Sequence, residues 1–327
     1  MTGHEFKAFG RNVGAICLGT MNFGDTMDER TSFSVMDEFF QMGGNFIDTA
    51  RVYGAFGPAG EGASEKVIGK WIKSRGVRND IILATKGAHP PLNDMHSGRL
   101  DRKSIESDLN KSLDALGIGA IDLYWLHRDD ESRDVLEILE TLNGFVKQGL
   151  IRAFAASNWK ASRLEKAAME AEKNGLMGFC ANQPMWSLAK NTLIEDDTLV
   201  QMDKETYAWH AKRRVACVPY TSQAKGFFIK LDKLGVEGLN EKVKKRYYNE
   251  HNLAIAGALG EICEKEGLSV ASACVMYLTS QRDFDVYPIV GFSSVEQAKA
   301  LKEASSKLLS DEAMQRLMKL SGLAREE

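Results

Sequence analysis

Four side chains with complementary acid-base chemistry stand just after short apolar runs of the chain. Asp48, Lys86 and His127 each follow such a run directly, and Tyr53 comes a few residues after Asp48. An apolar run that stops at a polar residue is typical of a buried strand at its C-terminal end. Side chains at the ends of neighbouring parallel strands can meet, because adjacent strands lie about 5 Å apart.

These four residue types suit proton transfer to or from an oxygen atom. A phenol titrates near pH 10, and a nearby ammonium group lowers that pKa by stabilising the phenolate. An aspartate keeps the ammonium charged and oriented, and an imidazole can donate a hydrogen bond to a substrate oxygen. Taken singly, each residue has a plainer role as a helix cap, a solvated charge, a packing ring or a buried histidine. Their joint placement at strand ends predicts an acid-base site.

The elements that position these residues alternate along the chain. Eight short apolar runs are each followed by an amphipathic helical segment, which predicts a parallel sheet. A (β/α)8 TIM barrel fits this count and length, and its chemistry lies at the C-terminal ends of its strands. The alternative, an open doubly wound sheet, usually carries a glycine-rich fingerprint that Gly54, Gly57 and Gly60 do not match. We therefore expect one α/β barrel domain over residues 1–327, with an N-terminal β-hairpin and an extra C-terminal helix.

Composition narrows the class of partner. The chain has 327 residues and a net charge of −3, and no basic patch that would indicate nucleic acid. No apolar run is long enough to cross a bilayer, and no secretory signal segment precedes the first strand. The five cysteines are widely spaced and form no C-x-x-C pair, which is typical of reduced thiols. We therefore expect a cytoplasmic protein with no metal site. A small-molecule substrate is the expected partner, and the oligomeric state cannot be read from the sequence.

Several longer motifs surround the four residues and occur in order through nearly the whole chain. They read V-G-A-I-C-L-G-T-M-N-F-G, N-F-I-D-T-A-R-V-Y-G, S-E-K-V-I-G-K, L-A-T-K, I-D-L-Y-W-L-H, S-N-W, N-Q-P-M-W-S and V-P-Y-T-S-Q-A-K-G. This set resembles the aldo-keto reductases. The resemblance implies a barrel that binds a nicotinamide dinucleotide, NAD(P)H, without a Rossmann domain. It also implies that Tyr53 is the general acid-base, that Lys86 paired with Asp48 lowers its pKa, and that His127 orients and polarises the carbonyl.

The resemblance extends to the expected cofactor contacts. At the nicotinamide, it implies amide contacts by Ser157, Asn158 and Gln183, stacking by Tyr220, and Gly19 and Thr20 beneath the cofactor. Near the pyrophosphate it implies Thr221, Gln223 and Gly226. At the adenosine end it implies Gly291, Ser293, Ser294 and Gln297.

The last of these segments departs from the family pattern. Many members carry arginine where Ser294 stands, and an arginine would bind a 2′-phosphate with a fixed cation. Serine brings no charge, and Glu296 would repel a phosphate if it faced the site. Lys299, one turn further on, could substitute for the missing cation. We therefore expect NADH to be accepted at least comparably to NADPH.

The substrate is less constrained by the sequence. Aromatic and polar residues that could line the mouth, or equally belong to the core, are Phe23, His89, Trp125, Trp159 and Trp186. The leading hypothesis is reversible hydride transfer between NAD(P)H and an aldehyde, ketone, sugar or cyclitol, or the corresponding alcohol. One alternative is a lyase that forms a Schiff base on Lys86, although Ser157, Asn158 and Gln183 would have no role there. Another is a non-catalytic, reductase-like interaction subunit, which is disfavoured because all four acid-base residues are present.

Overall fold

An eight-stranded parallel sheet forms the centre of the computed structural model, which describes residues 4–6 and 8–324. The strands are β1 His4–Phe6, β2 Arg11–Val13, β3 Cys17–Gly19, β4 Phe46–Asp48, β5 Ile82–Gly87, β6 Ile121–Leu126, β7 Ile151–Ser157, β8 Ala181–Gln183, β9 Ala216–Cys217 and β10 Ile289–Gly291. The α-helices are α1 Glu29–Gln41, α2 Ala63–Arg75, α3 Arg102–Leu116, α4 Val135–Lys147, α5 Ala161–Asn174, α6 Lys204–Arg213, α7 Phe227–Leu234, α8 Glu241–Tyr247, α9 Glu250–Glu266, α10 Val270–Thr279, α11 Val295–Ala300 and α12 Asp311–Ser321.

The sheet curls into an α/β barrel. Strands β3 to β9 pair in chain order, and β10 pairs with β3. Main-chain hydrogen bonds link the segment around β10 to the end of β9: Tyr287 donates to Cys217 (2.8 Å) and Ile289 donates to Pro219 (2.9 Å). The predicted α/β barrel agrees with this topology. Strands β1 and β2 form a separate antiparallel pair outside the barrel sheet.

Side chains of the barrel strands alternate between two apolar clusters, because successive residues of a strand point to opposite faces. Phe46 and Ile82 belong to the cluster inside the barrel, whereas Ile47 and Leu83 pack in the cluster shared with the helices. Phe6, from β1, also belongs to the inner cluster and stacks on Tyr287 with ring centroids 5.1 Å apart.

Local sequence signals account for many of the helix starts. Asp28, Asp101 and Asp203 each precede a helix and accept a hydrogen bond from a main-chain N–H of its first turn. The last of these caps places the start of α6 at Lys204. The segment after Tyr220 contains α7 and α8. Within the described ranges, no helix combines the length and the apolar character needed to span a membrane.

Candidate active site

The alternation of the strands brings the predicted acid-base residues to one place. Every second residue of a strand faces the inside of the barrel, so the residue two positions after an inward-facing one also faces inward. In three neighbouring strands this second residue stands at the C-terminal end. These pairs are Phe46 and Asp48 on β4, Ala84 and Lys86 on β5, and Trp125 and His127 on and after β6. Strand pairing sets Asp48 beside Ala84 and Lys86 beside Trp125. All three polar side chains are buried.

Lys86 links the members of this group. Its ammonium Nζ donates to Asp48 Oδ2, to the main-chain oxygen of Thr49 (2.9 Å) and to Tyr53 Oη (3.3 Å). An ammonium has three hydrogens, so each finds an acceptor. The orientation of Lys86 is therefore fixed by two anchors on the β4 segment, and its third N–H is directed at the phenol.

The loop that carries Tyr53 is held by tight turns and by a buried ion pair. Gly54 has φ +97°, and a Cβ there would lie 2.3 Å from the oxygen of Gly60, so only glycine fits. Glu65, fully buried at the start of α2, accepts from Arg51 Nη1 (3.0 Å) and Thr85 Oγ1 (2.7 Å). This carboxylate thereby ties the Tyr53 loop to the residue before Lys86.

Burial shifts the pKa values of the group. Burial lowers the pKa of Lys86, but its interactions with Asp48 and Tyr53 together raise the pKa by more, and the net shift is upward. Burial also raises the pKa of Tyr53, and the attraction of Lys86 offsets only part of that rise. The sequence argument predicted the contribution of Lys86 in the right direction but missed the larger effect of burial. In this structure the phenol and the ammonium both hold their protons at neutral pH.

The two histidines of the mouth are neutral. Burial, together with the positive charge of Arg128, holds the pKa of His127 well below its usual range. The His127 ring lies 6.2 Å from the Tyr53 ring and 4.7 Å from the His89 ring, measured between centroids. A neutral imidazole can donate one hydrogen bond to a substrate oxygen without introducing a charge.

A cavity of about 740 Å³ opens above this group and continues across the ends of several strands. Predicted cofactor residues that line it are Gly19, Thr20, Ser157, Asn158, Gln183, Tyr220, Thr221, Gln223, Gly226, Gly291, Ser293 and Gln297. Tyr53, His127, His89 and Phe23 line the same cavity. The structure therefore brings most of the candidate residues to a single elongated space.

Three amide and hydroxyl side chains connect the acid-base group to the neighbouring strands. Gln183 Nε2 donates to Asp48 Oδ1 (3.3 Å), and Ser157 Oγ donates to the main-chain oxygen of Gln183 (3.0 Å). Asn158 Oδ1 accepts from Tyr220 Oη (2.7 Å) and from the main-chain N–H of Val200 (3.1 Å). These bonds orient the residues that border the base of the cavity.

The loop after β9 has an unusual backbone. Thr221, Ala224 and Lys225 have φ between 48° and 57°, a conformation that costs energy in residues other than glycine. Ser222 Oγ donates to the main-chain oxygen of Ile289, which fastens the loop to β10. Thr221 and Lys225 of this loop line the cavity.

Four predicted site residues do not line the cavity. Trp125 fills the inside of the barrel, Trp159 packs against Phe179, and Trp186 packs among the rings of Tyr207, Tyr277 and Phe284. These tryptophans are core residues because their large apolar rings are better removed from water than exposed in a mouth. Ser294 does not line the cavity; its Oγ accepts from the N–H of Gln297 and caps α11.

The structure also adds residues that the sequence argument did not select. Arg128, directly after His127, lines the cavity and is held by Thr198 Oγ1 (3.1 Å) and Asp196 Oδ2 (3.4 Å). Met21 and Phe56 line the same space but are 54% and 60% exposed. The position of Arg128 beside the predicted histidine was the signal that could have found it.

Similarity to known proteins agrees with this site. The Aldo/keto reductase family model matches residues 15–321. A norsolorinic acid reductase of Emericella nidulans is 29% identical over 318 residues, covering 93% of this chain and 77% of that protein. An NADP(+) aryl-alcohol dehydrogenase of Phanerodontia chrysosporium is 28% identical over 338 residues, covering 94% and 82%. An uncharacterized oxidoreductase of Bacillus subtilis is 37% identical over 197 residues, covering 58% and 60%.

The family match spans nearly all of the residues that form the barrel and the cavity. It includes the strand ends that carry the buried Lys86–Asp48 pair and the neutral His127. The chain belongs to the aldo/keto reductase family and is an oxidoreductase that acts on carbonyl or alcohol groups.

Proposed function

We propose that this protein is an NADP-dependent carbonyl reductase in which Tyr53 is the general acid. The observation that carries the proposal is the arrangement of Tyr53, Lys86 and His127 at the base of one cavity. Tyr53 Oη, protonated at neutral pH, donates its proton to the carbonyl oxygen during reduction. Lys86 stabilises the resulting phenolate through its N–H, and neutral His127 donates a hydrogen bond that orients the same oxygen.

The residues of the cavity fit a nicotinamide dinucleotide. The cavity runs from the acid-base group, past Ser157 and Gln183, to Ser293 and Gln297. A nicotinamide cofactor bound in this space would supply the hydride. Ser157 and Gln183 border the end of this space near the acid-base group, where Gln183 is held by its bond to Asp48. The chain's own contribution is thus a fixed proton donor, a positioned hydrogen-bond donor and a shaped binding space.

The state of Lys86 disfavours the lyase alternative. A Schiff base needs a neutral amine, whereas the pKa of Lys86 is raised and all three of its hydrogens are engaged. A non-catalytic interaction subunit would not require the buried hydrogen-bonded group of Asp48, Lys86 and Tyr53.

Cofactor choice depends on cations at the outer part of the cavity. Lys230 and Lys233, on α7, line the space that Ser293 and Gln297 also line. Neither lysine forms an ion pair within the described part of the chain, whereas Lys299 lies 3.7 Å from Glu38. These lysines supply a charge for a 2′-phosphate that the argument from Ser294 did not consider. We therefore propose that NADPH is preferred, which replaces the expectation that NADH is accepted comparably; one relative is named for NADP(+).

The test of cofactor choice is a binding measurement. We expect the double variant Lys230→Met, Lys233→Met to bind NADPH about 10- to 100-fold more weakly, which is the scale of one charge-assisted hydrogen bond. The affinity for NADH should change little. Quenching of tryptophan fluorescence gives both dissociation constants, and Lys299→Met is the matched control. Equal losses for the two cofactors would contradict the proposal.

The relatives and the rim of the cavity favour an aryl carbonyl substrate. Two relatives are named as norsolorinic acid reductase and aryl-alcohol dehydrogenase. Exposed Met21 and Phe56 offer apolar contacts at the mouth, and Phe23 lies deeper in the same wall. Aromatic rings pack favourably on such surfaces. The test is a panel of aryl aldehydes and ketones, compared with aliphatic aldehydes and sugars, in which turnover is followed by the loss of NADPH absorbance. Absence of turnover with every carbonyl compound would refute the proposed function.

A further inference from the structure

His89 is held in one orientation by its own segment of chain. The preceding residue, Ala88, has φ +56°, and its N–H donates to Asp108 Oδ2 (2.8 Å). Arg99 Nη1 donates to the main-chain oxygen of His89 (2.9 Å) and also to Asp108 Oδ2 (3.0 Å). A left-handed residue other than glycine persists only where its surroundings enforce it. The surroundings of Ala88 therefore fix the direction in which His89 enters the cavity.

The hydrogen bond of the His89 ring determines its tautomer. Nδ1 lies 2.7 Å from the main-chain oxygen of Pro90. A carbonyl oxygen only accepts, so Nδ1 must carry the hydrogen and Nε2 must present a lone pair. Burial lowers the pKa of His89 to about 4, so the ring is neutral at physiological pH. Its free nitrogen is an acceptor and has no hydrogen to donate.

This acceptor stands beside the proposed catalytic group but differs from it in chemistry. The His89 ring is 4.7 Å from the His127 ring, and both line the cavity. The carbonyl oxygen of a substrate is itself an acceptor, so it pairs with Tyr53 and His127 and not with His89 Nε2. The natural partner of that nitrogen is a hydroxyl hydrogen on an atom close to the reacting carbonyl.

We propose that His89 recognises a hydroxyl group near the carbonyl carbon and makes this protein selective for hydroxylated carbonyl compounds. The inference rests on the proposed carbonyl reductase function and names its substrate class. A site built to bind a hydroxyl discriminates against an analogue without the hydrogen, because a buried polar atom is then left unpaired.

Matched substrates isolate this single hydrogen. 2-Hydroxyacetophenone and 2-methoxyacetophenone both carry an oxygen next to the carbonyl, but only the first has a hydrogen to donate. 3-Hydroxybenzaldehyde and 3-methoxybenzaldehyde repeat the comparison on the ring. We expect the hydroxyl member of at least one pair to have a kcat/KM about tenfold higher, the scale of one hydrogen bond. His89→Phe should reduce that ratio to about that of solution reactivity, and His89→Gln, which keeps an acceptor, should restore part of it.

The control variant is His96→Phe, because His96 is exposed and does not line the cavity. It should keep the wild-type ratio. Hydroxyl-to-methoxy ratios that are the same in wild type and His89→Phe would overturn the proposal. So would histidine ¹⁵N NMR showing a hydrogen on Nε2 of His89.

The outcomes also separate this inference from the proposed function. Turnover of the methoxy compounds without any hydroxyl preference rejects only the role of His89. Absence of NADPH-dependent turnover rejects the reductase proposal, and the dissociation constants of the same four compounds, measured by tryptophan fluorescence, then test His89 alone. Loss of a hydroxyl preference in binding by His89→Phe supports the inference, and unchanged constants reject it.

Discussion

Replacing Tyr53 with phenylalanine removes the proposed proton donor and little else. Lys86 keeps its hydrogen bonds to Asp48 and to the oxygen of Thr49, so the ammonium stays in place. The lost contact, at 3.3 Å, is a long hydrogen bond whose net contribution to folding is about 1 kcal/mol or less. A general acid contributes at least ~100-fold to turnover, or about 2.7 kcal/mol in activation free energy. We therefore expect a large loss of kcat in a protein that remains folded.

The assay compares kcat for an aryl aldehyde with the dissociation constant of NADPH. The cofactor affinity of Tyr53→Phe should stay close to that of wild type, because the phenol is assigned to the substrate oxygen. Tyr277→Phe is a matched control, since Tyr277 donates to Ser321 in the core and lies outside the cavity. Turnover within a few-fold of wild type in purified Tyr53→Phe would refute the assignment of Tyr53 as the acid.

Two further predictions concern charge. Lys86→Met should abolish most activity and lower the free energy of unfolding by about 3–5 kcal/mol, because Asp48 is left buried without its partner. In the pH profile of any residual reduction, the basic-side inflection should move to higher pH, because the phenol loses the cation that lowers its pKa. An unchanged pH profile would contradict this prediction. Burial holds the pKa of His127 well below its usual range and that of His89 and His210 near 4, so kcat/KM for reduction should show no inflection near pH 6.5. Because the unfolded chain binds these protons more readily, the melting temperature should fall as the pH drops below about 6.5; a constant melting temperature from pH 7 to 5 would count against neutral buried histidines.

The acid-base site was predictable because strand periodicity and strand ends are both visible in sequence. Runs such as Ile121–Leu126 are long enough to define which residues face inward, and that parity carries on to His127. The same rule selects Ser157 at the end of β7 and Gln183 at the end of β8. Local alternation therefore fixes the side chains that meet inside a barrel, without knowledge of any long-range contact.

Other features depend on contacts that the sequence pattern does not encode. Trp159 and Trp186 follow strand ends just as the site residues do, but tertiary packing takes their rings into the core. Helix α7 carries Lys230 and Lys233, and its Phe227 and Phe228 anchor it in the core. The expectation about NADH was argued from Ser294, Glu296 and Lys299, because the sequence alone does not show that Lys230 and Lys233 line the same cavity.

The competition between burial and charge at Tyr53 bears on the direction of proton transfer. Burial alone would keep the phenol protonated too firmly for easy transfer, because the phenolate would lack hydration. The ammonium of Lys86 opposes this through a direct N–H and by lying 5.0 Å from the ring centroid. The negative charge of Asp48 raises the pKa of Tyr53, but by less than the charge of Lys86 lowers it. The group therefore holds a proton at neutral pH and stabilises the anion formed when the proton leaves, which are the two properties that a donor to a nascent alkoxide requires.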